Sequence, residues 1–362
     1  MLLIDADSEQ ASRVAERVGD SLDRPFVLES VTAKITASIG IALAPDHAQD
    51  RPELVRCADA AMYRAKQDGV AHAQYDHRLD TGTSMLQLAD ELRDALGRDD
   101  LLLHYQPQID LHAGQIKTVE ALVRWQHPEQ GLIPPLRFLP LAEQAGLMSQ
   151  VTHWVLVHAL RQCSLWHAAG RPLRISVNIS ASDLADPGFP DMVAALLAHE
   201  RLNPSALMLE ITETSIIKDF DHVQQAARRL SALGIAVSVD DFGAGFTSLA
   251  YLSDLALREL KLDRRFITPL ASGHIGRNSE LVRATIALGH ALGLEVVAEG
   301  VEDDATLMLL RDLGCDVAQG YAIGRPDRPE ELSFRRRWLS HPATSQPHAP
   351  DSSSIDTPIG VR

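Results

Sequence analysis

Strand-length apolar runs that each carry an acidic or amide side chain near their trailing end recur along this chain, mostly separated by helix-length stretches. Glu120 lies in TVEALVRW, Asn178 in ISVNIS, Glu210 in LMLEITE, Asp240 and Asp241 in VSVDDFG, and Glu299 in VVAEGVE. A closed parallel barrel gathers the ends of successive strands at one mouth, so polar groups spread from Glu120 to Glu299 would converge there. Eight strand candidates follow residue 100: Leu101–Ile109, Thr118–Trp125, Arg174–Ser180, Leu207–Glu213, Ala236–Phe242, Glu259–Asp263, Glu295–Val301 and Val317–Tyr321. The first two are joined by His112-Ala113-Gly114-Gln115, too short for a crossover helix, so that pair is expected to be antiparallel. Later gaps hold amphipathic patterns, such as Val223, Ala227, Leu230 and Leu233 ending at Gly234. The expected fold is α/β: a (β/α)8 TIM-type barrel with one antiparallel strand.

Four segments are expected. Residues 1–80 read as a small α/β unit, 81–100 as a connector helix, 101–340 as the barrel and 341–362 as a disordered Pro/Ser-rich tail. In the first segment, Ala11 to Leu22 is helical in pattern, with Ala11, Val14, Ala15 and Val18 on one face. Val31 to Ala42 is strand-like. A second helix opens at Asp50-Arg51-Pro52, is stopped by Gly69, and would bury Leu54, Val55, Ala58, Met62 and Ala65. The connector, Met85 to Leu96, repeats Leu88, Leu92 and Leu96 at spacing four.

Carboxylates crowded at one mouth repel by about 1 kcal/mol per pair at 4 Å in water and about 4 at an intermediate dielectric, so a cation must accompany them. Oxygen ligands with one amide point to Mg²⁺ or Mn²⁺. Glu120, Asn178, Glu210 and Asp240 supply such donors from four strands, and Asp241 adjoins the last. Any one acid alone reads equally as a barrel-mouth cap or helix N-cap; the set is better explained by metal. Consecutive acids on a strand face opposite ways, a constraint that relaxes at a strand end. Two ions a few Å apart suit cleavage of a phosphodiester. Lys261, inside the apolar ELKLD, would orient water or stabilise developing charge, unless it snorkels out of the barrel end. Two glycines in Asp241-Phe242-Gly243-Ala244-Gly245-Phe246-Thr247 permit a tight loop beside the acids, with Thr247 capping the helix that follows. Arg124 is a candidate phosphate clamp through its planar fork, and Gln319 offers an amide at the same mouth.

Other classes are disfavoured. A formal net charge of −15 argues against a broad surface for polymeric nucleic acid. Three widely spaced cysteines suggest no disulfide framework and fit a reducing cytoplasm. MLLIDADSEQ has acids where a signal peptide needs basic and apolar runs, no stretch is apolar enough to span a membrane, and the abrupt start suits the soluble part of something longer. No HExxH, GxSxG or P-loop is present, against zinc hydrolases, serine hydrolases and P-loop NTPases.

From about residue 86 to 335 these motifs resemble the EAL domain, the bacterial cyclic di-GMP phosphodiesterase barrel. The matching pieces are YQP at 105–107, EALVRW at 120–125, HPEQGLIPP at 127–135, VNIS at 177–180 and LEITET at 209–214. DDFGAGFTSL at 240–249, LKLDRRFI at 260–267, VAEGVE at 297–302 and QGYAIGRP at 319–326 complete them. The resemblance implies that Glu120, Asn178, Glu210, Asp240, Asp241 and Glu299 hold two divalent ions. It implies that Lys261 assists the water, Glu213 holds the DDFG loop, and Gln319 contacts a metal water. Gln106, Leu122 and Arg124 would line the substrate groove, and the product would be linear pGpG. Pairing into a homodimer through helices near the DDFG loop is also implied. Ala244, Phe246 and Ala256 depart mildly from the family pattern.

The first 80 residues resemble the second half of a GGDEF diguanylate cyclase domain, through VTAKITASIGIA at 31–42 and ELVRCADAAMYRAKQDG at 53–69; Val70 departs from the usual Asn. The signature itself is absent, so cyclase activity is not expected. Two alternatives to a phosphodiesterase differ from it in their demand for metal ligands. A non-catalytic cyclic di-GMP receptor would usually have lost metal ligands, and none is missing here. A glycosidase would work without metal, so EDTA would separate it from the leading reading.

Overall fold

The computed structural model describes residues 3, 6–22, 26–28, 31–33, 37–67, 70–76, 85–243, 249–271 and 275–334. The Pro/Ser-rich stretch from 341 onward, Gly69, and residues 244–248 of the glycine loop, Thr247 included, lie outside them. The chain divides into two compact units, Met1–Asp90 and Glu91–Arg362.

The first unit runs α1 (Ser8–Leu22), β1 (Phe26–Leu28), β2 (Val31–Ala33), β3 (Ile39–Ile41), α2 (Arg51–Gln67) and β4 (His72–Gln74). The expected Val31–Ala42 strand is therefore two short strands, β2 and β3, with 34–36 outside the described residues. β3 and β4 pair in parallel, with Ile39 opposite His72. The buried stripe of α2 differs from expectation: Val55 and Met62 are 52% and 42% exposed, whereas Cys57, Ala61 and Ala65 are buried. Gly40 explains the rotation. A Cβ there would lie 1.9 Å from the Ala58 carbonyl and 2.3 Å from Met62 N. An approach that close of strand to helix admits small residues, and the bulkier ones fall on the flanks.

The helix α3 (Met85–Arg98) contains the division between the units, and Leu92 and Ala95 are fully buried. Nine strands follow among the described residues: β5 (Leu101–Asp110), β6 (Gln115–His127), β7 (Gly131–Ile133), β8 (Arg174–Asn178), β9 (Leu207–Thr212), β10 (Ala236–Phe242), β11 (Glu259–Leu262), β12 (Glu295–Ala298) and β13 (Val317–Gln319). Eight close into a barrel in the order β5, β13, β12, β11, β10, β9, β8, β6 and back to β5; β7 pairs only with β6. β5 is the one reversed strand, antiparallel to both neighbours, and the remaining barrel pairs are parallel. Strands β8, β9 and β12 stop short of expectation, leaving Glu213 and Glu299 just beyond the strand ends.

The helices of this unit are α4 (Pro135–Gln144), α5 (Met148–Ala168), α6 (Ala181–Ala185), α7 (Phe189–His199), α8 (Glu213–Lys218), α9 (Phe220–Ala232), α10 (Leu249–Asp254), α11 (Arg264–Ala271), α12 (Ile275–Ala291) and α13 (Asp304–Asp312). The face of α9 is Val223, Ala226, Ala227 and Leu230; Leu233 lies past its end and is exposed. Leu262, Ile267, Val282, Val296, Leu307 and Leu310 belong to one apolar cluster between strands and helices.

Inside the barrel the chemistry changes. Residues two apart on a strand share a face. The face that carries Glu120, Asn178, Asp240 and Lys261 therefore also carries Thr118, Ser176, Ser238 and Glu259 one step deeper. Ser238 stands opposite Glu210 on one side and Glu259 on the other. Burial pushes the Glu259 carboxyl up to about 7, against the opposing Lys261 charge. The folded state therefore keeps a proton that the unfolded chain releases near 4.5. Its contribution is fully present below that value and is lost as pH rises towards about 7. In urea titrations across this window, Glu259→Gln should lose less stability with rising pH than wild type; parallel profiles would contradict the assignment.

Candidate metal centre

Seven strands of the barrel bring the expected residues to the mouth. β6 carries Glu120, β8 Asn178, β9 Glu210, β10 Asp240, β11 Lys261 and β13 Gln319, while Glu299 follows β12 directly. Lys261 stands at the centre, 1% exposed. Its Nζ lies 2.6 Å from Glu299 Oε1, 2.9 Å from Glu210 Oε2, 3.2 Å from Asp240 Oδ1 and 3.8 Å from Glu120 Oε2. Asn178 donates from Nδ2 to Glu120 Oε1 at 2.7 Å. Gln319 donates from Nε2 to Gln106 Oε1 at 3.0 Å and to Glu120 Oε2 at 2.5 Å. Gln106 in turn donates to the Gly324 carbonyl at 3.1 Å.

Two consecutive aspartates reach the same mouth through a break in the pleat. The pairing of β10 with β11 shifts register between Val239 and Phe242. Asp241 adopts φ +56°, a left-handed conformation that Asp tolerates better than most residues. Its N–H donates to Asp240 Oδ1 at 2.9 Å. As a result, one carboxylate oxygen each from Asp240, Asp241 and Glu299 lie within 4.8 Å of one another. Glu213, the first residue of α8 and 2% exposed, sits to one side and accepts the Gly243 N–H at 2.9 Å. Gly243 has φ +90°, and a Cβ there would fall 2.3 Å from the Phe266 ring.

The electrostatics follow from many acids around one ammonium. Burial opposes a charged Lys261, but Asp240, Glu120, Glu210 and Glu299 outweigh it and hold its pKa well above the usual lysine value. Burial pushes the Glu210 carboxyl well up, with Lys261 opposing. Burial likewise pushes Glu299 up to about 8, and burial together with Asp240 and Asp263 raises Asp241 to about 6. Glu210 Oε1 and Gln108 Oε1 are buried with no hydrogen-bond partner among the described residues. Hard oxygen donors, an excess of negative charge and orphaned carboxylate and amide oxygens fit divalent cations of the Mg²⁺ or Mn²⁺ kind.

A groove of about 780 Å³ opens beside this cluster, lined by Gln106, Glu120, Leu122, Asp240, Glu299 and Gln319 among others. Arg124 is not among its lining residues: its Nη1 donates to the Val123 carbonyl at 2.8 Å, and burial lowers its pKa against the pull of Glu120. Several groove or cluster residues escaped the sequence reading. Gln108 donates to Gln319 Oε1 at 2.8 Å; its place two residues after Gln106, on the same face, was the available signal. Asp263 accepts from Arg265 Nε at 3.0 Å, and Arg264, Glu302 and Tyr321 line the groove. Asp263, Arg264, Glu302 and Tyr321 all lie within four residues after the end of β11, β12 or β13. Arg325 stacks on the Tyr321 ring at 4.1 Å.

Comparison with known proteins agrees with this geometry. Residues 89–326 match the EAL domain family, and residues 1–72 match the diguanylate cyclase, GGDEF domain family. The chain belongs to the EAL domain family and carries a partial GGDEF domain ahead of the barrel. It is 43% identical over 336 residues to the bifunctional diguanylate cyclase/cyclic di-GMP phosphodiesterase MucR of Pseudomonas aeruginosa, covering 92% of this chain and 49% of that protein. It is 36% identical over 318 residues to the cyclic di-GMP phosphodiesterase PdeR of Escherichia coli, covering 86% and 47%. The chain thus spans about half the length of these curated relatives. Among solved structures, the PaMucR phosphodiesterase in complex with c-di-GMP superposes with a TM-score of 0.64 at 46% identity, covering 68% of this chain and all of that one.

Because Asp241 and Glu299 hold protons up to about 6 and about 8, a bound cation must displace them. Mn²⁺ affinity, followed by electron paramagnetic resonance, should therefore climb from pH 6 to pH 8 with proton release on binding. A flat profile would contradict the assignment.

Proposed function

We propose that the barrel is a metal-dependent phosphodiesterase that hydrolyses one phosphodiester of cyclic di-GMP to give linear pGpG. The observation that carries this reading is the set of carboxylates from separate strands closed around Lys261, at one end of a groove of about 780 Å³. The names of the relatives, cyclic di-GMP phosphodiesterases among them, support the substrate. In this reading Asp240, Asp241 and Glu299 would hold one Mg²⁺ or Mn²⁺ ion, and Glu120, Asn178 and Glu210 would hold a second. Divalent cations bound there supply Lewis acidity and an acidified water at neutral pH.

The chain's own groups do the rest. Lys261 keeps its ammonium at the centre, where it orients the attacking water and meets charge developing on phosphate. Gln319 and Asn178 fix the two oxygens of Glu120 through hydrogen bonds of 2.5 and 2.7 Å. Glu213 anchors the start of the DDFG loop through Gly243, and Gln106 and Leu122 form groove wall. Arg124 would swing from the Val123 carbonyl to reach phosphate. Residues 1–80, 81–100 and 101–340 are read as a partial GGDEF domain, a connector and the catalytic barrel of a cytoplasmic signalling protein. Among the described residues no helix is long and apolar enough to cross a membrane.

Folded protein with Mg²⁺ or Mn²⁺ should convert cyclic di-GMP to pGpG by chromatography, with EDTA stopping turnover. Glu120→Ala should reduce kcat/KM by at least about a thousandfold, the scale of a lost transition-state electrostatic contact. Binding without turnover in metal-loaded protein would favour a receptor instead. Pairing of two barrels through helices flanking the DDFG loop is part of the same reading. The exposed Tyr251 of α10, packed on Phe220 at 4.6 Å, belongs to that face. Sedimentation should give a dimer weakened by Tyr251→Lys; an unchanged monomer would remove this part of the account.

A further inference from the structure

One edge of the barrel sheet is left unpaired. The Gln126 N–H donates to the Asp100 carbonyl at 3.0 Å, so along this part of β5 the even-numbered residues bond to β6 and the odd-numbered ones face away from it. On that far side β13 covers only Gln108 to Asp110. Beyond it, Tyr105 exchanges backbone hydrogen bonds of 2.7 and 3.1 Å with Asp327, an antiparallel bridge to the chain that follows β13. In the same register Leu103 would meet Pro329, which has no N–H to give. The chain then turns away, with the Glu331 N–H donating to the Arg328 carbonyl at 3.0 Å. The outward N–H and C=O groups of Leu101 and Leu103 therefore have no partner among the described residues.

These groups border a cavity of about 380 Å³. It is lined by Leu101 to Leu103 and Pro329, and by a stripe of α5 that includes Trp154, Arg161 and Leu165. Leu165 is 58% exposed. The one carboxylate here, Asp99, is already engaged: its Oδ1 accepts from Trp154 Nε1 at 2.8 Å and lies 3.1 Å from His158 Nε2. Arg161 is exposed and has no hydrogen-bond or ion-pair partner among the described residues. A free sheet edge, an apolar wall and an unpaired cation thus share one recess.

We infer that this recess docks an extended segment of a partner protein, apolar at alternate positions and carrying an acidic side chain, as an added strand on β5. An added strand supplies a donor and an acceptor to each of Leu101 and Leu103. Alternate side chains of such a strand point to one face. Those opposite Leu101 and Leu103 would turn to the α5 wall, where Trp154 and Leu165 receive an apolar group and Arg161 a carboxylate. Pro329 blunts the edge and accounts for where the chain's own pairing stops. It does not account for an exposed leucine and an unpaired arginine beside that edge. A small anion would use Arg161 but neither the backbone groups nor Leu165.

Random hexapeptides displayed on phage are panned on the full chain, and the enriched sequences are synthesised with a fluorophore for polarisation measurements. They should alternate apolar residues around an Asp or Glu and bind Arg161→Glu about ten-fold or more weakly than wild type. Replacing the peptide's acid by Lys should restore binding to Arg161→Glu, and an unchanged thermal melt verifies that this variant folds. N-methylation should abolish binding at every second peptide amide and spare the amides between, the signature of a strand bonded along one edge. Hydrogen exchange at the Leu101 and Leu103 amides should slow when peptide is added. No enrichment of acidic alternating sequences, equal binding to Arg161→Glu, or an N-methyl scan without a two-residue period would overturn the inference. Leu101 and Leu103 amides already protected in the free full chain would overturn it too, because the chain itself would then occupy the edge. None of these outcomes bears on the phosphodiesterase reading, which uses neither this edge of β5 nor α5.

Discussion

One ammonium group inside a closed barrel sets the terms for the rest of this structure. Lys261 is buried where an unpaired cation would be costly, and it is stable there because carboxylates from four other segments face it within 4 Å. The acids need the lysine equally. Four carboxylates around a single positive charge leave an excess of three negative charges if all are ionised, and burial first, with that excess after it, raises the pKa values of Glu210 and Glu299. Protons relieve it in the metal-free state. Divalent cations would relieve it while leaving the carboxylates ionised, so the chemistry of the cluster fits a divalent cation.

Holding this arrangement requires departures from regular strand geometry at three places. The register shift and left-handed Asp241 allow two successive aspartates to serve one mouth, which a regular pleat forbids. Gly243 admits the Phe266 ring against the start of the loop, and Gly300 admits Arg264 against the segment after Glu299. These positions sit at or just beyond strand ends, where the barrel scaffold is rigid enough to impose an uncommon backbone. The polar barrel interior below them, with Ser176, Ser238 and Glu259, departs from the aliphatic layers usual in such barrels.

Much of this was legible in the residues. Apolar runs of strand length with acids at their ends gave the barrel, and the short turn at His112–Gln115 identified its reversed strand. Glu120, Asn178, Glu210, Asp240 and Glu299 were found because acids and amides in apolar strands are conspicuous. Two kinds of information were not local. The rotation of α2, which exposes Val55 and Met62, depends on Gly40 in a different element approaching the helix backbone. Arg264 and Glu302 look like ordinary solvated charges in sequence; only the groove shows that they share a wall. Arg124 sits on the expected face of β6, yet its side chain bonds the chain's own backbone, a rotamer choice that no spacing encodes.

The account depends on separate stretches of polypeptide forming one cation-binding pocket, and anomalous diffraction from Mn²⁺-soaked crystals tests that most directly. Two anomalous peaks are predicted, one bounded by Asp240, Asp241 and Glu299 and the other by Glu120, Asn178 and Glu210. A map with no manganese at the barrel mouth, collected at a pH where Glu299 is ionised, would contradict it.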